Sequence, residues 1–168
     1  MADVAAQFRE YIHLDRKQRG SGLSPKELDR WMLLKRSLGQ RFAPGLSDEQ
    51  ADRRASVRVP ARLRVDFPSV ESLRGQVMTN ISRGGLFVAV TSPPEIGTRL
   101  TLQLHIESTG ERLEIPVEVV SHNVGPHYKA EPLGMGLRFL DMDAAVKEQL
   151  EALYDESLRR ALREQLDP

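Results

Sequence analysis

Five arginines fall within residues 53–64, a stretch of twelve residues that contains no acidic side chain. A guanidinium can form two parallel hydrogen bonds with a phosphate or with the O6/N7 edge of guanine, and it can stack on a base. Alternation along a first strand turns Arg62 and Arg64 towards water, which explains those two without a ligand. The remaining three make up what we call the arginine segment (residues 53–58): Arg53, Arg54 and Arg58. Clustered like charge is unfavourable unless an anion compensates it, so this segment predicts an anion site.

A second group lies at residues 80–85 (Asn-Ile-Ser-Arg-Gly-Gly), between two patterns typical of strands, and we call it the glycine turn. The side chains of Asn80 and Ser82 can bond to nearby backbone and hold a tight turn. Glycine reaches positive φ without strain, so Gly84 and Gly85 would let a ligand lie directly against the main chain. Taken alone, the turn is better explained as an ordinary hairpin connection.

Residues for catalysis or metal binding are not arranged in any pattern that enzymes use. The chain has no cysteine, and its histidines are not paired at metal-ligand spacing. The histidines are His13, His105, His122 and His127. His105 lies in a strand pattern, which predicts a structural role. Residues 134–136 (Gly-Met-Gly) are only a fragment of a dinucleotide-binding pattern and precede a strand. We therefore expect a binding protein with no catalytic residues, no metal and no cofactor.

Composition limits the kinds of partner. The chain has 168 residues, a formal net charge of zero, 40% hydrophobic and 29% charged residues, which is typical of a globular chain. Zero net charge favours neither a nucleic-acid polymer nor a membrane surface. The first ten residues lack the features of a signal peptide, and no apolar run approaches the roughly 20 residues of a membrane-spanning helix. We expect a cytoplasmic protein that does not insert into a membrane.

The N-terminal third has a helical pattern. Residues 1–42 predict a helical hairpin whose second helix begins with a capping box at 24–27 (Ser-Pro-Lys-Glu). The stripe of that helix at helical spacing includes Trp31 and Lys35. We expect the hairpin to form a homodimer or protein-partner surface in which Phe8 and Trp31 are the main contacts, with packing in the core as the alternative explanation for both residues. Residues 43–52 (APGLSDEQAD) are polar, contain proline and glycine, and predict a linker.

Strand patterns then follow over residues 53–141. Five or six short strands with no helix between them predict an antiparallel barrel or sandwich. They lie near 63–67, 75–79, 86–90, 101–106, 113–119 and 136–140. Residues 142–168 return to helical spacing, and we expect this C-terminal helix to cover one end of the barrel. The fold class is therefore mainly β with flanking helices.

Taken together, three motifs make the sequence similar to the PilZ domain family. Residues 54–58 match R-x-x-x-R, and residues 80–85 match [D/N]-x-S-x-x-G. Residues 134–141 (GMGLRFLD) resemble the last strand of the family. The resemblance covers about 53–141 and leaves residues 1–50 outside. It implies a bacterial protein with a six-stranded antiparallel β-barrel. The barrel would bind the second messenger cyclic di-GMP.

The resemblance also implies roles for individual residues. Arg54 and Arg58 would contact guanine edges and phosphates. Asn80, Ser82 and Gly85 would surround a guanine on the barrel surface. Gly84 and Gly136 are the other residues predicted to bind the ligand. An arginine directly before R-x-x-x-R accompanies an intercalated ligand dimer in the family, so Arg53 predicts two cyclic di-GMP molecules per chain. We hypothesise that the arginine segment is mobile without ligand and becomes ordered on binding, which would fix the orientation of the N-terminal hairpin.

Two alternatives to a cyclic di-GMP receptor remain. One is a PilZ-type adaptor that binds no ligand and acts in a pilus, motility or other signalling assembly. The other is a small barrel that binds nucleic acid. The zero net charge, and three tyrosines without a stacking platform, argue against the second.

Overall fold

The computed structural model describes residues 3–54, 56–70, 73, 75–107, 109–123 and 133–166. The helices within these residues are α1 (Val4–Arg19), α2 (Pro25–Phe42), α3 (Asp48–Arg53) and α4 (Ala144–Leu166). The strands are β1 (Val59–Asp66), β2 (Gln76–Ile81), β3 (Gly85–Ala89), β4 (Arg99–Ile106), β5 (Glu111–Asn123) and β6 (Gly134–Phe139). The described residues of 1–59 and 155–168 form one compact unit, the helical unit. Those of 60–154 form the other, the barrel unit.

The barrel unit confirms the predicted fold. Its strands close in the order β1-β2-β3-β6-β5-β4, and the described pairs of strands are antiparallel. Every second residue of β5 from Leu113 to Val119 is buried, which is the period-two alternation of a strand with one face towards a core. The fully buried interior is mainly aliphatic, in line with the low aromatic content, although Phe67 is fully buried as well. Its aliphatic and methionine members include Val65, Leu102, Leu104, Ile115, Val117, Val119 and Met135.

In the helical unit, local sequence rules explain the start of α2. The Ser24 side chain accepts a hydrogen bond from the Glu27 backbone nitrogen, and the Glu27 carboxylate accepts one from the Ser24 backbone nitrogen. The predicted capping box is therefore present, and Pro25 occupies the first helical position.

Phe8 and Trp31 are not exposed contact residues, contrary to the prediction for a partner surface. Their exposed fractions are 1% and 8%. Phe8 packs edge-to-face on Phe42 with ring centroids 5.9 Å apart, and Trp31 Nε1 donates to Asp15 Oδ1 at 3.2 Å. The prediction was wrong because the small helical unit needs its largest side chains for its own core.

The predicted linker at 43–52 contains helix α3. Ser47 and Gln50 form a second capping box at its start. Arg36 of α2 then binds the Asp52 carboxylate through both Nε and an NH2 group, each at 2.6 Å. The boundary between compact units falls after Val59 instead of after residue 52. The polar composition of this stretch reflects capping and ion pairing, not an extended connection.

Helix α4 contributes to both units. In the barrel unit its residues Leu150 and Tyr154 are buried. In the helical unit Leu158 and Ala161 are buried, and the Asp155 carboxylate accepts a hydrogen bond from Arg16 at 2.7 Å. Among the described residues, no helix is both long enough and apolar enough to span a membrane.

Candidate ligand-binding site

A buried lysine holds the start of the arginine segment. Lys35 of α2 is 3% exposed. Its Nζ donates to the carbonyl oxygen of Arg54 at 2.6 Å and to that of Asp52 at 3.3 Å. The ammonium also lies 4.5 Å from the centroid of the Trp31 ring. Burial lowers the pKa of Lys35, while the nearby charges of Asp52 and Asp15 oppose that shift.

A tyrosine holds the other end of the segment. The Tyr11 hydroxyl of α1 accepts a hydrogen bond from the Val57 backbone nitrogen at 3.1 Å. Tyr11, Ser56 and Val57 are all buried. We call the contacts made by Lys35 and Tyr11 the two anchors of the arginine segment, because both act on its main chain.

The arginine side chains differ in their surroundings. Arg53 ends α3 and forms an exposed ion pair with Glu49, one turn earlier, at 2.5 Å. Arg54 is half-buried, whereas Arg58 is exposed directly before β1. Arg62 and Arg64 are exposed on β1, as predicted for a solvated strand face. The main chain of the segment thus packs inward while Arg53 and Arg58 remain accessible to solvent.

The glycine turn is held by its own main chain. The Ser82 backbone nitrogen donates to the Gly85 carbonyl at 2.9 Å, and the Ser82 hydroxyl donates to the same oxygen at 3.2 Å. The Phe139 backbone nitrogen, at the end of β6, donates to the Gly84 carbonyl at 2.9 Å. The β2–β3 register shifts just before Asn80, which pairs with Phe87. These bonds join the turn to its hairpin and to β6.

Close strand packing explains Gly85, one of the three glycines predicted to contact ligand. A Cβ added to Gly85 would lie 2.0 Å from the Leu137 carbonyl oxygen, whereas one added to Gly136 would meet the rotatable Ser121 hydroxyl, with Oγ at 2.3 Å. A Cβ on Gly84 would meet no described atom within 4 Å. Positive φ, the expected reason for glycine in this turn, is not used. Among the described glycines it occurs only elsewhere, at Gly22, Gly75, Gly97 and Gly110.

A pocket of about 280 Å³ lies beside the turn in the barrel unit. It is lined by Ser82, Arg83, Gly84, Phe139, Leu140, Asp141, Met142, Lys147, Leu150, Glu151 and Tyr154. The Arg83 guanidinium stacks over the Tyr154 ring, 4.5 Å from its centroid. Sequence reasoning missed this contact, although Arg83 stands inside the motif and Tyr154 lies in the apolar stripe of the last helix. Ser82 and Gly84 line the pocket, whereas Asn80 does not.

The predicted site residues are divided between the two units. The helical unit carries the arginine segment, and the barrel unit carries the rest of the predicted site. The barrel residues are Asn80, Ser82, Gly84, Gly85 and Gly136. The structure brings Ser82, Gly84 and Gly85 together in one turn, while Gly136 pairs with Phe87 one strand away.

The histidines that the structure describes provide no metal site. His105 Nε2 lies 2.7 Å from Asp66 Oδ2, and the other oxygen of Asp66 accepts from the Gly75 backbone nitrogen at 2.6 Å. The bond from Gly75 lowers the pKa of Asp66, and the bond with His105 adds to that effect. This pair joins β1 to β4, so the predicted structural role of His105 is confirmed. His127 lies outside the described residues. Within those residues, no group of three His, Asp or Glu side chains could hold a metal ion.

Comparison with known proteins identifies the family. The PilZ domain profile matches residues 52–156, which is more than half of the 168-residue chain. The chain belongs to the PilZ domain family. A comparison with curated proteins gives no match.

Solved structures agree with a PilZ fold. The Bacillus subtilis inhibitor of motility MotI/DgrA is 26% identical, with a TM-score of 0.50 over 68% of this chain and 52% of that one. Escherichia coli YcgR in complex with c-di-GMP is 19% identical, with a TM-score of 0.52 over 68% and 50%. The isolated PilZ domain of YcgR with c-di-GMP is 20% identical, with a TM-score of 0.51 over 68% and 98%. The present chain spans about half the length of MotI/DgrA and of the longer YcgR chain.

Proposed function

We propose that this PilZ protein is a non-enzymatic receptor for cyclic di-GMP. The observation that carries the proposal is that both family motifs are present in an arrangement that could contact a ligand. The main chain of R-x-x-x-R is held by two anchors, and the glycine turn leaves open space beside Gly84. Membership of the PilZ family supports this ligand, as do the two YcgR structures that contain c-di-GMP.

The proposed contacts follow from the chemistry of the ligand. Cyclic di-GMP offers two phosphates and two guanine edges, which suit the guanidinium groups of Arg54 and Arg58. Asn80 and Ser82 supply donors and acceptors for one guanine base, and Gly84 lets the base approach the main chain. Charge-assisted hydrogen bonds of this kind contribute about 1.5–3 kcal/mol each.

Arg53 determines the proposed stoichiometry. As the arginine directly before R-x-x-x-R, it favours two intercalated ligand molecules per chain. Its side chain reaches solvent at the end of α3 and leaves Glu49 when a phosphate or base offers a better contact. Calorimetry should give two ligands per wild-type chain and one per Arg53→Leu chain. A wild-type ratio of one at saturation would contradict this part of the proposal.

The proposed conformational change is smaller than the ordering of a fully mobile segment. Lys35 and Tyr11 hold the main chain at Arg54 and Val57, and these two hydrogen bonds favour a change smaller than the ordering of the whole segment. We propose that the arginine side chains reorganise around cyclic di-GMP while the main chain stays in place. Ligand binding would then change the contacts of the arginine side chains that the helical unit presents.

Titration with cyclic di-GMP tests the proposal. Arg58→Ala and Arg54→Ala should each weaken binding by about 10- to 100-fold, since each removes charge-assisted hydrogen bonds. Arg62→Ala is the matched control, an exposed arginine of β1 outside the proposed site, and should change the affinity by less than about twofold. Equal losses for Arg58→Ala and Arg62→Ala would mean that the site is elsewhere. A folded wild type that does not bind would favour the ligand-free adaptor.

A further inference from the structure

The burial of Lys35 requires an explanation. Lysine is almost never fully buried unless it is paired, because removing an ammonium from water is costly. Lys35 is 3% exposed, and its two hydrogen-bond acceptors are main-chain carbonyls, those of Asp52 and Arg54. An apolar residue would fill the same position in the stripe of α2 at lower cost. The ammonium therefore acts on the main chain that follows α3.

That contact fixes where the arginine motif begins. An ammonium at the C-terminal end of a helix satisfies carbonyls that have no partner inside the helix and interacts favourably with the helix dipole. The Arg54 carbonyl is the closer of the two acceptors, at 2.6 Å, and Arg54 is the first arginine of R-x-x-x-R. The direction in which the chain leaves α3 is thus determined by a side chain of α2.

The second anchor fixes where the motif ends. Val57, whose backbone nitrogen donates to the Tyr11 hydroxyl, directly precedes Arg58. The two anchors come from different helices and hold the main chain beside each of the two motif arginines. A segment held at both ends loses less conformational freedom when it binds a ligand than a segment that must first be ordered.

We infer that α1 and α2 preorganise the arginine segment for its ligand, with Lys35 and Tyr11 as positioning residues. The inference rests on the proposed binding of cyclic di-GMP and adds a role for the N-terminal helices, which lie outside the residues that match the family. The competing explanation is that the two side chains only stabilise the helical unit.

Substitutions that keep size and remove the anchoring group test the inference. Lys35→Met retains the apolar stem and deletes the ammonium, and Tyr11→Phe deletes only the hydroxyl. Lys26→Met is the matched control, an exposed lysine near the start of the same helix. We expect cyclic di-GMP affinity to fall about tenfold in Lys35→Met and about fivefold in Tyr11→Phe, and to stay within twofold in Lys26→Met.

A double-mutant cycle separates positioning from general stability. If Lys35 acts through the arginine segment, Lys35→Met should cost much less affinity in an Arg54→Ala background, because the side chain that it positions is gone. A purely structural effect would lower the affinity equally in both backgrounds. The melting temperature of every variant shows whether it is folded at the titration temperature. If Lys35→Met does not fold, the same cycle is made with Tyr11→Phe and Arg58→Ala.

The outcomes separate this inference from the proposed function. Folded anchor variants that bind with wild-type affinity would overturn the positioning role and leave the receptor function intact. Additive losses in the cycle would do the same. A folded wild type that does not bind cyclic di-GMP would overturn both.

Discussion

The arginine segment and the glycine turn carry the two halves of one family motif, yet they are held by different kinds of contact. The arginine segment depends on side chains that are distant in sequence: Lys35 is 19 positions from Arg54, and Tyr11 is 46 positions from Val57. The glycine turn depends on main-chain bonds within its hairpin and to the end of β6. One half can therefore be loosened by replacing a single side chain, whereas the other is part of the barrel.

Because of this difference, the glycine turn and the arginine segment depend on different parts of the protein for their structure. The turn forms whenever the barrel forms, because closing the strands makes its bonds. The arginine segment also requires a folded helical unit. A change in the packing of α1 or α2 would therefore alter the arginine segment and leave the glycine turn in place.

The largest expected effect concerns two adjacent glycines of the turn. Gly85→Ala should destabilise the barrel by about 3 kcal/mol, because its Cβ would lie 2.0 Å from the Leu137 carbonyl. Gly84→Ala should change stability by less than about 0.5 kcal/mol, since no described atom lies within 4 Å of its Cβ. Chemical denaturation measures both. If the two variants are equally stable, strand packing does not explain the glycine at position 85.

The same pair of variants also tests the ligand contact. Gly84→Ala should weaken cyclic di-GMP binding by about tenfold if the base lies against the main chain there, because a methyl group would take its place. Unchanged affinity in this stable variant would move the ligand away from Gly84.

The alternating strands allowed most of the barrel to be predicted from sequence. In β5, apolar side chains recur at every second position, and this pattern reports directly which face is buried. The capping box at Ser24 was equally clear, because it depends only on neighbouring residues. Local patterns of this kind predict elements well when each element also has to bury one face.

What sequence alone did not predict were contacts between distant residues. Lys35 stands in the apolar stripe of α2, and an ammonium in that stripe was the available sign of a buried partner. Its partners are main-chain carbonyls, which no sequence pattern identifies. Helix α3 was missed because the linker prediction depended on Pro44 and Gly45 and did not consider the capping box at Ser47. For Gly85, the residue type was informative, but the close approach of β6 that requires it depends on strand pairing.

Hydrogen exchange should distinguish the two kinds of contact by a smaller effect. Tyr11→Phe removes the hydrogen bond from the Val57 amide, worth about 1 kcal/mol, so this amide should exchange about fivefold faster. The Ser82 amide, which donates to Gly85 within the turn, should be unaffected. Equal acceleration at both amides would mean that the helical unit and the turn open together. That result would contradict the statement that the arginine segment and the glycine turn are held by separate contacts.

In the wild-type protein, the ligand should further protect the amides of the arginine segment from hydrogen exchange. Cyclic di-GMP is expected to slow exchange across residues 50–60, because bound arginines restrict the segment that the anchors already hold. Equal exchange with and without ligand would exclude any ordering of the segment on binding.

The smallest expected effect concerns the side chains of the arginine segment. The Glu49 carboxylate forms an exposed ion pair with the Arg53 guanidinium. It would therefore compete with an anionic ligand for that guanidinium. Glu49→Gln should raise cyclic di-GMP affinity by about two- to threefold at low salt, since exposed pairs contribute little and are screened by ions. The gain should disappear at high ionic strength, when the competing attraction is screened. Glu164→Gln, which removes the same charge from an exposed position on α4, is the control for the overall change in charge. An equal gain in both variants would show that only net charge matters, whereas a gain confined to Glu49→Gln would show that Arg53 exchanges its own helix's carboxylate for the ligand.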